Sequence, residues 1–192
     1  MRKKIILGIV ILAAVILLFN NFAVVETVVH GKQIAYTNAA KITWKFNISR
    51  DEEMVYFTPK LKKFKKLERL FIAVNDDADY KYLSQMNDLQ ELTVFYCFSY
   101  CGSLETLPEL PNLKKLTLTG GVDGSNFTLS DEYEYNFASI ETLEISFFTT
   151  IDCDALKHFK NLHTLRISAL KNDLTEEQVE ELQSRGINVE IK

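Results

Sequence analysis

A chain of 192 residues with 47% hydrophobic content can bury one well-packed core and is too short for two domains of ordinary size. Its formal charge of −4 rests on 22 basic and 26 acidic residues, but Arg2, Lys3 and Lys4 precede an apolar N-terminal segment, and the remainder carries 19 basic against 26 acidic residues, a net −7. A surface of that sign argues against nucleic acid as a partner.

The first expected element is a membrane segment over residues 1–25. Residues 5–19 contain no polar side chain, Asn20 and Asn21 interrupt, and Phe22, Ala23, Val24 and Val25 resume the apolar run. As a helix rising ~1.5 Å per residue, residues 5–19 reach only ~22 Å, whereas residues 5–25 reach ~31 Å, about the thickness of a bilayer core. A cleaved signal peptide also suits a short apolar run. Cleavage needs small residues at −3 and −1, however, and the best candidate, Ala23, has Asn21 at −3. No cysteine follows directly to accept lipid. The expectation is an uncleaved, single-pass anchor at the cell membrane, N-terminus cytoplasmic and the rest of the chain extracytoplasmic, with secretion after cleavage as the alternative.

Residues 26–39 form a short hairpin or linker: two β-prone runs flank His30 and Gly31. Ile42, Trp44, Phe46 and Ile48 then alternate with Lys41, Thr43, Lys45 and Asn47, which predicts a capping strand with one wet face.

Beyond this strand one apolar spacing recurs five times, at Leu67/Leu70/Ile72, Leu89/Leu92/Val94, Leu113/Leu116/Leu118, Ile140/Leu143/Ile145 and Leu162/Leu165/Ile167. Successive first positions are 22, 24, 27 and 22 residues apart, the period of a repeat architecture. The last two residues of each copy are two apart and share one face of a strand, while the first sits on the lead-in and turns into the same core. One copy cannot bury that face alone. Stacked copies give a parallel sheet with connecting arcs returning each chain segment to the start of the next strand.

These residues resemble the leucine-rich repeat, L-x-x-L-x-L-x-x-N/C-x-L, over roughly residues 40–192. The resemblance implies an α/β solenoid with a parallel sheet on its concave face and a buried ladder at the ninth position. That position is Asn75, Cys97, Gly121, Phe148 and Leu170 in turn, and Phe148 and Leu170 are expected to be buried. With the preceding hairpin and cap, the chain is similar to membrane-anchored extracytoplasmic leucine-rich repeat proteins of Gram-positive bacteria. At the other end, Thr175 and Gln178 make a capping box, Val179 and Leu182 a helical stripe, and Gly186 a stop before the strand Ile187, Val189, Ile191. This ending is similar to the last unit of bacterial leucine-rich repeat proteins, and implies that no second domain comes after it.

Catalytic patterns are missing. His30, His158 and His163 are the only histidines, and no zinc, triad or phosphate-loop spacing is present. The latter two histidines are expected on the solvated surface. Cys153 lies between Asp152 and Asp154, which raise a thiol pKa and disfavour a nucleophile. Asp76, Asp77 and Asp79 lack the ligand order and glycine of a calcium loop. Cys97 and Cys101 could bridge outside the cytoplasm, but Cys97 as a buried thiol at the ladder position is preferred. Asn47 and Asn126 begin N-glycosylation triplets in a eukaryotic host. No cofactor, metal, small-molecule substrate or enzymatic activity is expected.

The expected function is protein binding through the concave sheet and its rim. In the repeat register the free positions include Arg69, Phe71 and Ala73, then Glu91, Thr93 and Phe95. The candidate partner-binding residues are Arg69, Phe71, Glu91, Phe95 and Tyr96, since aromatics beside an arginine make binding hot spots. The alternative is a subunit of a membrane complex whose transmembrane helix makes the specific contacts while the repeats act as a spacer.

Overall fold

A computed structural model describes residues 21–29, 31–42, 54–74, 80–96, 104, 106–120, 126–127, 135, 137–147, 150–151, 153–168 and 174–191. The strands are β1 (Phe22–Thr27), β2 (Gly31–Tyr36), β3 (Val55–Tyr56), β4 (Arg69–Val74), β5 (Glu91–Tyr96), β6 (Lys115–Thr119), β7 (Asn126–Phe127), β8 (Thr142–Ser146), β9 (Thr150–Ile151) and β10 (Thr164–Ser168). Helix α1 (Glu176–Ser184) and strand β11 (Asn188–Ile191) complete the order. Among the described residues nine strands form one sheet in the order β11-β10-β8-β6-β5-β4-β3-β1-β2, and β7 pairs separately with β9. The sheet is parallel from β3 to β11, with β1 antiparallel to both β3 and β2. Among the described residues the fold is α/β, a mostly parallel sheet with one α-helix.

Each predicted repeat supplies one strand, and the register is unbroken. Leu70, Leu92, Leu116, Leu143 and Leu165 are successive partners, as are Ile72, Val94, Leu118, Ile145 and Ile167, and all ten are buried. Alternation along a strand turns the intervening side chains to the other face. Pairing begins before the strands proper: the Gln90 amide donates to the Glu68 carbonyl at 2.8 Å, Lys114 to Gln90 at 2.8 Å, Glu141 to Lys114 at 2.9 Å and His163 to Glu141 at 2.9 Å.

The arcs fill the other side of the core by a spacing of three. Leu61, Phe64 and Leu67 are buried together, as are Leu83, Met86 and Leu89, and Leu156, Phe159 and Leu162. Amides of Phe64, Met86, Leu89, Phe159 and Leu162 donate to the carbonyl three residues earlier at 2.9–3.2 Å. A turn of three residues eclipses positions i and i+3, so one face of each arc is continuously apolar. A polar ladder runs beside it. The side chains of Asn112, Ser139 and Asn161, each just ahead of a repeat's first apolar residue, donate to the carbonyls of Asn87, Leu110 and Ala138 in the preceding arc at 2.7–2.9 Å. The expected ladder position, Asn75, Cys97, Gly121, Phe148 and Leu170, lies wholly outside the described residues.

Both ends are built from the chain's local signals. The expected hairpin is present, with Gly31 at φ 64°, where a side chain would be strained. It begins earlier than expected, however. Phe22, Ala23, Val24 and Val25, expected to end a membrane segment, belong to β1, where Ala23 and Val25 are buried against the core. Among the described residues no helix is long and apolar enough to cross a membrane, and residues 1–20, which carry most of the expected anchor, lie outside them. Of the expected cap strand only Ile42 is described, and it is buried. The described strand beside β4 is instead the two-residue β3, which joins the hairpin to the parallel sheet.

At the C-terminus the capping box of Thr175 and Gln178 is reciprocal, at 2.9 and 3.2 Å. Gly186, at φ 82°, ends α1: its amide donates to the Gln183 carbonyl at 2.9 Å, the Ile187 amide donates to Leu182 at 3.1 Å, and Leu182 and Ile187 are both buried. This is a Schellman closure with its hydrophobic contact.

Candidate binding face

The face of the sheet opposite the core carries two zones. At the β3–β5 end, Ala73 is paired in register with Tyr56 on one side and Phe95 on the other, and Phe71 is paired with Thr93. Phe71 and Phe95 are therefore diagonal neighbours on adjacent strands, and both are half-buried. Ala73, expected to be free, is only 1% exposed, yet it is not part of the core cluster. Its burial follows from its neighbours: a methyl group between two aromatic rings on one face of a sheet is shielded by them. The result is a small floor flanked by Tyr56 and Phe95, with Phe71 beside it.

Arg69 and Glu91 lie on the same face, one row nearer the strand starts. The Arg69 Nε is 3.4 Å from Glu91 Oε1, and both side chains are about half exposed, 57% and 45%. A pair so wet contributes under ~1 kcal/mol to stability and leaves both charges available to a ligand.

Tyr96 does not belong with them. It was expected to extend the aromatic group to the rim, but it is 5% exposed and faces the core, because side chains alternate and Tyr96 directly follows Phe95. Its hydroxyl lies 3.3 Å from that of Tyr80, whose amide donates to Thr106 Oγ1 at 2.9 Å. Burial pushes Tyr80 up to about 12 despite its hydrogen bond with Tyr96, and burial together with the Tyr80 phenol pushes Tyr96 well above the ordinary tyrosine range.

Toward β11 the face is charged and internally neutralised. Lys115 Nζ lies 2.9 Å from Glu144 Oε2, Arg166 Nη1 2.9 Å from Glu144 Oε1, and Arg166 Nε 2.8 Å from Glu190 Oε2. The Thr117 hydroxyl adds a bond to Glu144 at 3.1 Å. Partial burial raises the Glu144 pKa, but hydrogen bonds from Lys115 and Arg166 outweigh it and hold the carboxyl below its usual range. Glu190 and then Glu144 raise Arg166 further. Glu144, Ser146, Arg166, Ile167 and Ser168 line a shallow recess of about 130 Å³.

Compared with protein-family models, curated proteins and solved structures, this chain matches none.

Of the other residues singled out in the sequence, His163 is exposed, whereas His158 is half-buried with its ring edge-on to Tyr135 at 4.9 Å rather than solvated. Among the described residues no group of three or more His, Cys, Asp or Glu side chains could hold a metal ion. His30, Asn47, Asp76, Asp77, Asp79, Cys97 and Cys101 lie outside the described residues. Tyr56 was missed because Val55 and Tyr56 match no repeat. The charge ladder was missed although its signal was legible: Glu144, Arg166 and Glu190 alternate in sign at equivalent positions of successive strands.

Proposed function

We propose that this chain is a membrane-tethered, extracytoplasmic leucine-rich repeat protein that binds a protein partner through the free face and rim of its sheet, without catalysis. The leucine-rich repeat reading is supported by five sequence copies supplying five in-register strands, with arcs that return along one side of the core. The observation that carries the binding function is the aromatic group Tyr56, Phe71 and Phe95 around Ala73 on a face that the core does not use. Aromatic rings flanking a small floor give a partner's apolar side chain a place to be desolvated, and Arg69 and Glu91 beside it offer directional contacts. The neutralised ladder from Lys115 to Glu190 orients rather than attracts.

The face is small. Seven strands from β3 to β11, ~4.8 Å apart, make a face only ~29 Å long, and two or three side chains of width fall short of the ~800 Å² per partner of a standard stable interface. The rim of the sheet therefore contributes.

Two measurements test the proposal. In intact cells, added protease or a membrane-impermeant thiol reagent reaches the repeats from outside, and labelling only after lysis refutes the orientation. Partner capture by the full chain is lost in Phe71→Ala and Phe95→Ala and persists in a chain whose first 20 residues are replaced by an unrelated membrane anchor. Loss of capture on replacing the anchor, with both phenylalanine variants still active, transfers the specificity to the N-terminal segment. Any soluble version must begin at or before Asn21, since a later start cuts into β1.

A further inference from the structure

The β1–β2 hairpin has two unlike faces. Ala23, Val25 and Ala35 point to the core and are buried. On the outer face Phe22 pairs with Tyr36 and Val24 with Ile34, and only the third pair, Glu26 with Lys32, is charged. Val24, Ile34 and Tyr36 are 44%, 38% and 39% exposed, an unusual investment of large apolar surface for one short hairpin. The Phe22 and Tyr36 rings pack on one another with centroids 4.7 Å apart, so the patch is ordered by its own contacts. The aromatic pair lies at the end at which the chain enters from residue 21, while the turn at the other end exposes Val28 and Val29.

We propose that this outer face rests against the lipid headgroups of a bilayer, a proposal that depends on the N-terminal apolar segment being a membrane anchor. The length of the connection carries it. Residues 5–19 are uniformly apolar, and Phe22 follows Phe19 by three residues, which span at most about 10 Å fully extended. The apolar face of a surface-bound element sinks about 5–10 Å into the headgroup and acyl boundary. Once Phe19 lies at the edge of the hydrocarbon, Phe22 stays within about 10 Å of it, and the hairpin pairs nearest the membrane are the apolar ones rather than Glu26 and Lys32. The aromatic pair suits that depth, where amphipathic rings concentrate at membrane surfaces. β2 is the outermost strand of the described sheet, and backbone at a sheet edge tolerates the wet headgroup layer but not hydrocarbon. The hairpin therefore lies on the bilayer and does not enter it.

The test places a reporter on the hairpin of the full chain. Tyr36→Trp is made with Trp44 retained, the protein is reconstituted into phosphatidylcholine vesicles, and fluorescence is compared with vesicles whose acyl chains are brominated near the headgroup. Flotation with the vesicles reads the anchor separately. The expected result is a floating protein in which Tyr36→Trp adds a bromine-quenched, blue-shifted emission to the parent signal, while Ile191→Trp at the opposite edge of the sheet adds an unquenched one. Val24→Trp substitutes if Tyr36→Trp lowers the melting temperature. A floating protein whose added indole is unquenched and open to iodide overturns the headgroup contact and leaves the anchor intact. An indole shielded from iodide yet unquenched by bromine shows a second copy covering the face, and also overturns it. Failure to float overturns the anchor and this inference together.

Discussion

The Tyr80 and Tyr96 hydroxyls meet 3.3 Å apart on the core side of β5, forming a buried phenol pair where a run of apolar side chains would otherwise continue. Both phenols are stabilised in the neutral form, Tyr80 with a folded-state value of about 12 and Tyr96 well above its usual range. The unfolded chain deprotonates near the ordinary value of ~10, so stability from this pair is fully present below that pH. It is lost as pH rises from ~10 through the folded-state values. Urea unfolding followed between pH 8 and pH 12 is expected to show a flat region and then a steep alkaline loss. Replacing both tyrosines with phenylalanine flattens that loss, and Tyr96→Phe alone costs ~1 kcal/mol at neutral pH by removing one buried hydrogen bond. A variant with both rings replaced that retains the full alkaline loss refutes the assignment.

Leu92, Leu116, Leu143 and Leu165 form one column across β5, β6, β8 and β10, each no more than 1% exposed. Leu→Ala at any of them removes buried apolar volume that the flanking arcs cannot refill, at a cost of about 2–5 kcal/mol. Denaturant unfolding with unchanged m-value is the measurement. Changes under about 0.5 kcal/mol at two of these positions would show that the register is wrong.

The five repeat strands and the C-terminal helix were legible in the sequence because their signals are local and periodic. Leu92 and Val94 two residues apart define a strand face, and Thr175, Gln178 and Gly186 define a helix from cap to stop. Three features were not legible. β3 is two residues long, and its place in the sheet depends on Thr27 and Ile72, contacts distant in sequence. Residues 22–25 are as apolar as the end of a membrane segment, and composition alone does not separate a span from a half-buried strand. The rings at positions 95 and 96 look alike as exposed aromatics until the period of two is applied, and then Tyr96 must turn inward. Of the candidate site, Arg69, Phe71, Glu91 and Phe95 stand on the free face, Tyr96 leaves it, and Tyr56 and Ala73 complete the aromatic zone.

The Lys115–Glu144–Arg166–Glu190 ladder is expected to matter more for charge than for stability. Glu144 is held below its ordinary value, so its contribution is present above the unfolded-state value and fades as pH falls through the lower folded one. Arg166→Ala removes one of its cations and one partner of Glu190, and an NMR titration should show the Glu144 carboxyl moving up toward the usual range. The cost in stability should be small, as for other solvent-accessible pairs, and should shrink in high salt. An unmoved Glu144 titration would mean that Lys115 alone sets its ionisation.

Ala73 distinguishes the free face from the core. Ala73 is almost fully buried, and if it faced the core, Ala73→Leu would overpack it and cost about 1–3 kcal/mol. Its partners Tyr56 and Phe95 instead place it on the outer face, where its shield consists of two rings with solvent beyond them. Ala73→Leu is therefore expected to displace those rings outward, lowering stability by less than about 1 kcal/mol, within the range of ordinary surface changes and small repackings. The same substitution fills the floor between Tyr56 and Phe95, so partner capture by the full chain should fall as strongly as in Phe95→Ala. Phe95→Ala itself should cost less stability than Leu92→Ala on the same strand, because its ring is only half-buried. A large destabilisation by both Ala73→Leu and Phe95→Ala, matching that of Leu92→Ala, would assign these side chains to a second packed layer and remove the binding face.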